Sequence, residues 1–455
     1  MSKKNLCLFF LIPSFFLLIY TFYKSEIIWD GLNREYYKPY YLFSLAVLFF
    51  SFFTFFLKKK TILTLIIISL SIIFGLYIVE AYMTLNKISV GGTKINKKRH
   101  DIYKKQTGKE FDKRSRIEIY RDEKKVNKNI SIVVSPSSFL SNKKIELFPF
   151  AGLSNSKTIN CNENGYYSIF DSDRYGFNNP DDVWNKNKIS YLILGDSYAF
   201  GSCVNRPYDI ASALRIKSKE TVINLGYNGN GPLIELASLK EYIPNEKKIE
   251  KILFFYYEGN DLKNLSDELK NEILLKYLKD ENFSQKIKFR QKEVDNLILK
   301  KIKEYYKRLN VNNIKVNNEI STYSEIFKFL KINKTRRWVI FNFNYYITEK
   351  PEKKVINEFF NILKLIKKLS KENNSKFYFV YIPSFNRYNS LYYNNSDYIE
   401  IKEKLKSLNI EMIDLHDSIF KELKNKNNLF PFERYGHFTI EGNNKIAETI
   451  YKLTK

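Results

Sequence analysis

The sequence predicts an α/β protein, in which a doubly wound parallel sheet follows an apolar N-terminal segment. Five short apolar runs recur after residue 188, and their length suits strands that are buried on both faces. Stretches with helical spacing separate these runs, which is the alternation typical of doubly wound sheets. Before residue 85, three longer windows carry no charged residue at all. A chain of 455 residues is long enough to hold both parts.

The three uncharged windows are Asn5–Tyr23, Pro39–Leu57 and Thr61–Val79, each 19 residues long. At about 1.5 Å per residue, each would form a helix of roughly 28 Å, enough to cross the hydrocarbon core of a bilayer. A buried core helix or a cleaved signal peptide is the alternative, and against the signal peptide Tyr20–Tyr23 lacks the small residues that cleavage requires. The sequence therefore predicts a three-helix membrane anchor over residues 1–84.

The distribution of lysine and arginine gives conflicting signals about membrane topology. The Lys58–Lys60 triplet between the second and third windows favours a cytoplasmic N-terminus, which would place the remainder of the chain outside. Basic residues in the first loop, such as Lys24, and the cluster Lys97–Arg99 after the third window favour the opposite orientation. Because the charge rule weakens for long translocated domains, we expect the domain after residue 85 to be extracytoplasmic.

Charge and rare residues exclude several classes of protein. The 75 Lys and Arg exceed the 49 Asp and Glu, but both signs are interspersed and no nucleic-acid motif is present, so we expect a solvated surface and no nucleic-acid partner. Three cysteines and three histidines leave little material for a metal or iron–sulfur site, and we expect neither a metal nor a cofactor. The histidines available as a catalytic base are His100, His416 and His437.

The region after the predicted anchor divides near residue 188. Residues 85–188 are basic and polar with short apolar runs, and we expect a lead-in region that packs on the catalytic domain. Residues 189–455 form that domain, with a charged helical insertion, a lid or flank, at about residues 262–350. Its clearest helices are Leu265–Asp280 and Gln285–Asn310. The predicted strands are Ile189–Leu194, Thr221–Leu225, Ile252–Tyr257, Phe377–Ile382 and Asn409–Leu415.

Polar residues follow each of the first three predicted strands, where the ligand sites of parallel sheets form. Ser197 ends a Gly-Asp-Ser turn after the first strand. Gly229 follows the second, and without a side chain it can bring its N–H close to a ligand. Asn260 follows the third, where its amide could donate to an oxyanion. An ordinary turn or helix cap explains each motif equally well when it is taken alone.

Among the histidines, His437 is the best placed to act on these strand ends. It directly precedes an amphipathic C-terminal helix predicted over Asn443–Leu453, so it can return to the sheet from the end of the chain. His416 has the pattern of an ordinary residue after the last strand, and His100 lies near the membrane exit.

In this order, the four motifs resemble the sequence blocks of the SGNH (GDSL) hydrolase superfamily. The resemblance implies Ser197 as nucleophile, His437 as base, and Gly229 and Asn260 as oxyanion donors. The third block is shortened, because Gly259 directly precedes Asn260. The segments DRYGFNNPDDVW, LGDSYAFGSCV and YYEGNDL are similar to a membrane-anchored bacterial branch that is found with cell-envelope polysaccharide genes.

The sequence departs from the family at the acidic partner of the histidine. The family usually has Asp three residues before His, and here that position is Arg434. Glu433, one residue earlier, is predicted to orient His437 instead. A Ser–His dyad without a carboxylate is the alternative.

The cysteines bear on the compartment of the domain. Cys7 falls inside the first apolar window, which leaves Cys161 and Cys203 in the soluble part. In an oxidising compartment these two could form a disulfide that ties the segment before the first strand to the helix after Ser197. Two unpaired buried cysteines are the alternative.

The resemblance implies a Ser–His acyl-enzyme mechanism on a multi-pass protein of the inner membrane, with its catalytic domain extracytoplasmic. We expect an esterase or O-acyltransferase that acts on acyl esters, acetyl above all, of cell-envelope glycan. The expected partners are the lipid bilayer and an acylated glycan or other ester. The alternative, which Arg434 favours, is an inactive SGNH scaffold that binds glycan or assists envelope assembly.

Overall fold

The computed structural model describes residues 2–28, 34–86, 88, 92–142, 145–243, 247–315, 326–344, 352–389, 393 and 395–455. Contacts between residues divide the chain into two compact units. The first unit comprises Met1–Ile88 together with Thr322–Trp338, and the second comprises Ser89–Ser321 and Val339–Lys455.

Three helices build the N-terminal part of the first unit. They are α1 (Lys3–Phe22, continued by a π-helical turn at Tyr23–Ile28), α2 (Arg34–Phe53) and α3 (Lys59–Leu85). Within the described residues, two helical stretches, Lys3–Ile28 and Lys59–Leu85, are long and apolar enough to cross a membrane. The expectation of three spans is therefore wrong in number. In α2 and the helical turn after it, the apolar stretch is Tyr40–Phe56, which is shorter than the other two.

In these helices large apolar side chains are exposed and small polar side chains are buried, which is the reverse of the pattern in a soluble protein. Large apolar residues such as Phe16, Phe49 and Phe74 are exposed, whereas the small polar Ser44 and Thr21 are buried and lie within hydrogen-bonding distance, 3.3 Å between their hydroxyl oxygens. Small residues at helix contacts and large apolar residues outside are typical of helices that face lipid.

A five-stranded parallel sheet forms the centre of the second unit, as the sequence predicts. The strands are β4 (Lys188–Leu194), β5 (Val222–Asn224), β6 (Lys248–Tyr257), β7 (Lys376–Ile382) and β8 (Glu411–Asp414). Their spatial order is β5-β4-β6-β7-β8. Because β4 lies between β5 and β6, the next two strands in the chain, the sheet changes winding direction at β4.

Helices cover both faces of this sheet. Because successive strand residues point to opposite faces, Phe254 and Phe379 belong to one apolar cluster and Phe255 and Val380 to another. The first cluster includes residues of α8 (Pro232–Tyr242) and α13 (Lys353–Glu372), and the second includes residues of α7 (Ile210–Ser218) and α17 (Ile440–Thr454). This double cover explains why the strands are continuous apolar runs.

The lead-in region contributes a second, three-stranded sheet. In it β2 (Lys157–Ile159) lies between β1 (Ile130–Ile132), with which it is parallel, and β3 (Ile169–Asp171), with which it is antiparallel. Buried residues of this sheet, such as Ile132 and Phe170, belong to the first apolar cluster of the central sheet. The two sheets therefore share one core.

The remaining helices include those of the charged insertion between β6 and β7, which is mostly helical where the structure describes it. They are α4 (Gly92–Thr107), α5 (Arg116–Val126), α6 (Ser197–Phe200), α9 (Asp261–Glu268), α10 (Glu272–Lys279), α11 (Gln291–Lys315), α12 (Asn333–Asn344), α14 (Phe385–Asn389), α15 (Ser396–Ser407) and α16 (Leu415–Ser418).

Cys161 and Cys203 form a disulfide, with 4.9 Å between their Cα atoms, and Cys7 is a buried free cysteine. The bond joins the connection between β2 and β3 to the segment after α6. The two cysteines are 42 residues apart, so the bond restricts a long loop in the unfolded chain.

We expect Cys161→Ala to lower the free energy of unfolding by about 4 kcal/mol, the loop-entropy value for a loop of this length. The melting temperature of the second unit should fall on the order of 5–10 °C. Thermal unfolding followed by near-ultraviolet circular dichroism measures this, with Cys7→Ala as the control that removes an unpaired thiol. Equal melting temperatures for the two variants would contradict the expectation.

Candidate active site

The Gly-Asp-Ser turn places a serine hydroxyl at the carboxyl end of β4. Gly195 has a φ of 152°, and a Cβ there would lie 2.7 Å from the Cβ of Ala199, so the tight turn into α6 needs glycine. The Asp196 carboxylate accepts the N–H of Tyr198 at 2.8 Å and caps α6. Ser197 is the first residue of that helix and is half-buried.

His437 lies beside the serine, and its role as base stays a prediction. Its Nε2 lies 2.9 Å from Ser197 Oγ, whereas the nearest Asp196 oxygen lies 3.4 Å from the same hydroxyl. Tyr198 donates its hydroxyl to the Gly436 carbonyl at 2.9 Å, and its ring centroid lies 5.0 Å from that of His437. Tyr198, the residue after Ser197, thus helps to position His437.

The other two histidines lie elsewhere. The Nδ1 atom of His416 is 2.7 Å from the Tyr388 hydroxyl, and the ring of His100 lies against Phe111 with 4.4 Å between centroids. Neither of these two contacts involves Ser197.

The carboxylate partner of His437 is Glu163. Its Oε1 lies 3.2 Å from His437 Nδ1, and its Oε2 accepts the backbone N–H of His437 at 2.7 Å. Glu433, which the sequence predicts at this place, is exposed, and the carboxylate beside His437 Nδ1 is that of Glu163 instead. Glu163 lies in the β2–β3 connection, 274 residues before His437, whereas Arg434 lies three residues before it.

Glu163 was not singled out by its local sequence, but one signal could have found it. Cys161 is two residues before it, and the disulfide predicted with Cys203 brings this segment to the turn after Ser197. The amide of Asn164 donates to the Cys203 carbonyl at 2.9 Å and closes the same contact. The disulfide and this hydrogen bond therefore hold the acid beside the base.

Gly436 makes room for the acid. A Cβ at this position would lie 2.7 Å from both Glu163 Oε2 and Arg99 Nη2. Arg99, on α4, donates to the Tyr435 carbonyl and adds a positive charge near the carboxylate. Any larger residue at position 436 would push the acid or Arg99 away.

The pKa values of the pair are shifted in complementary directions. Burial lowers the pKa of His437, but the charge and hydrogen bond of Glu163 outweigh it, and the pKa ends above 6.5. Burial raises the pKa of Glu163, but His437 and then Arg99 outweigh it, and the pKa ends below its usual value. Burial also raises the pKa of the neighbouring Asp196 to about 6. An imidazolium formed at His437 is thus stabilised by Glu163.

Glu163, Cys203 and His437 form a cluster of residue types that can bind metals, with ligand atoms within 4.8 Å of one another. The cluster does not fit a metal ion, because Cys203 Sγ is bonded to Cys161 and cannot act as a thiolate ligand. The sulfur lies 3.7 Å from His437 Nδ1 and packs against the ring.

Gly229 and Asn260 follow the two strands that pair with β4, so they flank the end of the strand that carries Ser197. Gly229 has a φ of 78°, and its N–H has no acceptor among the described residues, whereas the N–H groups of Gly226 and Gly231 donate to Asn224 and Glu268 at 2.9 and 2.6 Å. This selects Gly229 among the glycines of its loop as a free donor. The oxyanion role stays a prediction.

The loop that contains Asn260 is fixed from both sides. The Glu258 carboxylate accepts the N–H of Ser384 at 2.6 Å and pairs with the Arg387 guanidinium at 2.6 Å, and both charged side chains are buried. Asp261 accepts the N–H of Tyr257 at 2.7 Å. These bonds hold the backbone of Asn260, whose side-chain Oδ1 is buried without a hydrogen-bond partner among the described residues.

Two asparagines of the segment DRYGFNNPDDVW, Asn178 and Asn179, hold the turn that carries Ser197 on the sheet. Asn179 exchanges hydrogen bonds of 2.9 Å with the backbone N–H and carbonyl of Asn224 at the end of β5. Asn224 in turn donates to the Ala199 carbonyl of α6 at 2.7 Å, and Asn178 donates to the Phe200 carbonyl at 3.1 Å. These amides fix α6, and Ser197 with it, on the sheet.

Comparison with known proteins adds little to this geometry. No family model and no curated protein matches the chain. A solved structure from Desulfitobacterium hafniense, assigned to the G-D-S-L family of lipolytic proteins, matches 59% of this chain and 99% of its own. The sequence identity is 12% and the TM-score is 0.29, so this likeness assigns neither family nor function.

We expect Glu163→Gln to lower kcat/KM on an ester by roughly 10³–10⁴-fold, because a neutral amide neither orients the imidazole nor stabilises the imidazolium. Glu433→Gln is the matched control and should change the rate little, since Glu433 is exposed. Steady-state kinetics with a melting curve for each variant measures both effects. A larger loss in Glu433→Gln than in Glu163→Gln would overturn the assignment of the acid.

The rate should fall as the pH decreases through the pKa of His437, because the imidazolium cannot accept the Ser197 proton. That pKa lies above 6.5, so the acid limb of the pH–rate profile should be centred above 6.5. Since Glu163 raises this pKa, the limb of the residual activity in Glu163→Gln should move to lower pH. A limb that stays in place or moves up would show that Glu163 does not set the pKa.

Proposed function

We propose that this chain is a membrane-anchored serine esterase or O-acyltransferase of the SGNH type. The observation that carries the proposal is the relay from Ser197 Oγ to His437 Nε2 and from His437 Nδ1 to Glu163, with separations of 2.9 and 3.2 Å. A nucleophile, a base and an orienting carboxylate within hydrogen-bonding reach are the parts that acyl transfer through serine requires. The order of the motifs along the chain and the parallel sheet agree with the resemblance.

In the proposed reaction, Ser197 Oγ attacks the ester carbonyl and His437 Nε2 takes the hydroxyl proton. Glu163 keeps the imidazole oriented and stabilises the imidazolium without taking the proton. The Gly229 N–H and the Asn260 amide donate to the oxyanion of the tetrahedral intermediate. His437 then gives its proton to the leaving alcohol, and water or a sugar hydroxyl releases the acyl group from Ser197.

The proposed location and substrate rest on separate observations. The exposed apolar side chains of α1 and α3 support insertion into a membrane. The disulfide supports an extracytoplasmic catalytic unit, because cytosolic thiols stay reduced. The resemblance to envelope-associated proteins supports an acyl, above all acetyl, ester of glycan as substrate.

The inactive-scaffold alternative loses the observation that favoured it. Arg434 in the usual acid position suggested a broken triad, but Glu163 supplies a carboxylate to the same imidazole nitrogen. We therefore propose catalysis alone.

We expect Ser197→Ala to lower turnover of a chromogenic acetyl ester by at least about 10³-fold while the melting temperature is kept, because Ser197 is half-buried at a turn. Ser407→Ala, an exposed serine of α15, is the control and should keep full activity. Acetyl release from acetylated envelope polysaccharide tests the substrate separately. Unchanged ester turnover in Ser197→Ala would end the proposal, whereas turnover of the small ester without release from polysaccharide would end only the glycan substrate.

A further inference from the structure

One part of the insertion belongs to the first unit, with α1–α3, and not to the second unit, which holds the central sheet. We call these the membrane unit and the catalytic unit, after the proposed function. Residues 326–338, which we call the return segment, cluster with α3 although they are about 250 residues away from it in sequence. A helical turn at residues 326–330 and the first half of α12 make up this segment. Its sequence, IFKFLKINKTRRW, has five basic residues and no acidic one.

Glu80 on α3 is the main attachment point. Its carboxylate is 1% exposed and accepts the N–H groups of Lys334 and Thr335 at 2.9 and 2.7 Å and the Thr335 hydroxyl at 2.8 Å. The carboxylate thus satisfies free N–H groups in the first turn of α12. A carboxylate in an otherwise apolar helix is costly without such partners, so this residue is explained by the attachment.

Two further contacts repeat the attachment along α3. Lys334 Nζ donates to the Met83 carbonyl at 2.9 Å, near the end of the helix. The Tyr77 hydroxyl donates to the Leu330 carbonyl at 2.8 Å, and its ring lies 5.6 Å from that of Phe329. The return segment therefore follows the last turns of α3.

The contacts fix the depth of the return segment if α3 spans a bilayer. The helix has 27 residues, so it is about 40 Å long, whereas the hydrocarbon core is about 30 Å thick. Tyr77, Glu80 and Met83 all lie within the last nine residues, which places them about where hydrocarbon meets headgroups.

The outward side chains of the return segment suit that depth. Ile326, Phe327, Leu330 and Trp338 are about half exposed or more, at 50, 60, 55 and 49%. The exposed basic residues among them are Lys328, Lys331, Arg336 and Arg337. Apolar and aromatic side chains with lysine and arginine between them are typical of helices that lie in the membrane interface.

We propose that the return segment is an in-plane element of the membrane interface, with its apolar side chains at the headgroup–acyl boundary and its basic side chains against anionic headgroups. The inference rests on the membrane anchoring in the proposed function. It adds that the insertion of the catalytic unit returns to the bilayer, so that the chain touches the membrane at a second place in its sequence.

The test uses the full-length chain with Cys7→Ser and the disulfide intact, and a bimane label on Phe327→Cys. A matched label on Phe74→Cys reports α3, where Phe74 is 68% exposed. Both proteins are reconstituted into phosphatidylcholine and phosphatidylglycerol vesicles with bromine placed near the headgroup or near the chain end. We expect shallow bromine to quench the label at 327 most and deep bromine to quench the label at 74 most.

The two labels separate failure of the inference from failure of the anchor. Quenching at 74 with none at 327 would overturn the inference, show that the segment faces water or protein, and leave the anchor standing. No quenching at either position would overturn both.

The lipid charge tests the basic residues. More phosphatidylglycerol should strengthen shallow quenching at 327 but not at 74, and Arg336→Gln with Arg337→Gln should weaken that dependence. A dependence on lipid charge that is absent from the parent protein, or that is unchanged in the double variant, would overturn the electrostatic part of the proposal.

Discussion

The contact between Glu163 and His437 is the interaction on which the candidate site depends. It places a carboxylate and an imidazole together in a mostly buried position, where either group alone would be costly. The pair persists because several elements converge on it: the disulfide at Cys161, the vacant side of Gly436 and the positive charge of Arg99. The small lead-in sheet thus contributes a chemical group to the site as well as apolar surface to the core.

The sequence allowed the central sheet and two members of the proposed triad to be predicted, for a physical reason. Strands buried on both faces are continuous apolar runs, and the turn after β4 needs the local pattern Gly-Asp-Ser to reverse tightly and cap α6. Such information is local. Glu163 lies in the irregular connection between β2 and β3, which has no periodic pattern. Its position depends on the disulfide between Cys161, two residues before it, and Cys203, 42 positions after Cys161. No local pattern contains that fact.

The first unit shows the same limit in another form. A count of uncharged residues predicted three spans, but among the described residues the apolar helical stretch in the middle is only Tyr40–Phe56. Glu80 lies just beyond the third uncharged window, and hydropathy alone treats it as the end of an apolar helix. In the structure it is a buried acceptor for backbone groups of a distant segment, a role that only tertiary contacts reveal.

The three proposed catalytic side chains come from widely separated parts of the chain, and this has a consequence for biosynthesis. His437 is 240 residues after Ser197, so at about 5–20 residues per second the ribosome supplies the base roughly 10–50 s after the nucleophile. During that interval the serine hydroxyl has no proton acceptor in its final geometry. Under the proposed mechanism, a nascent chain that lacks His437 therefore cannot yet turn over an ester.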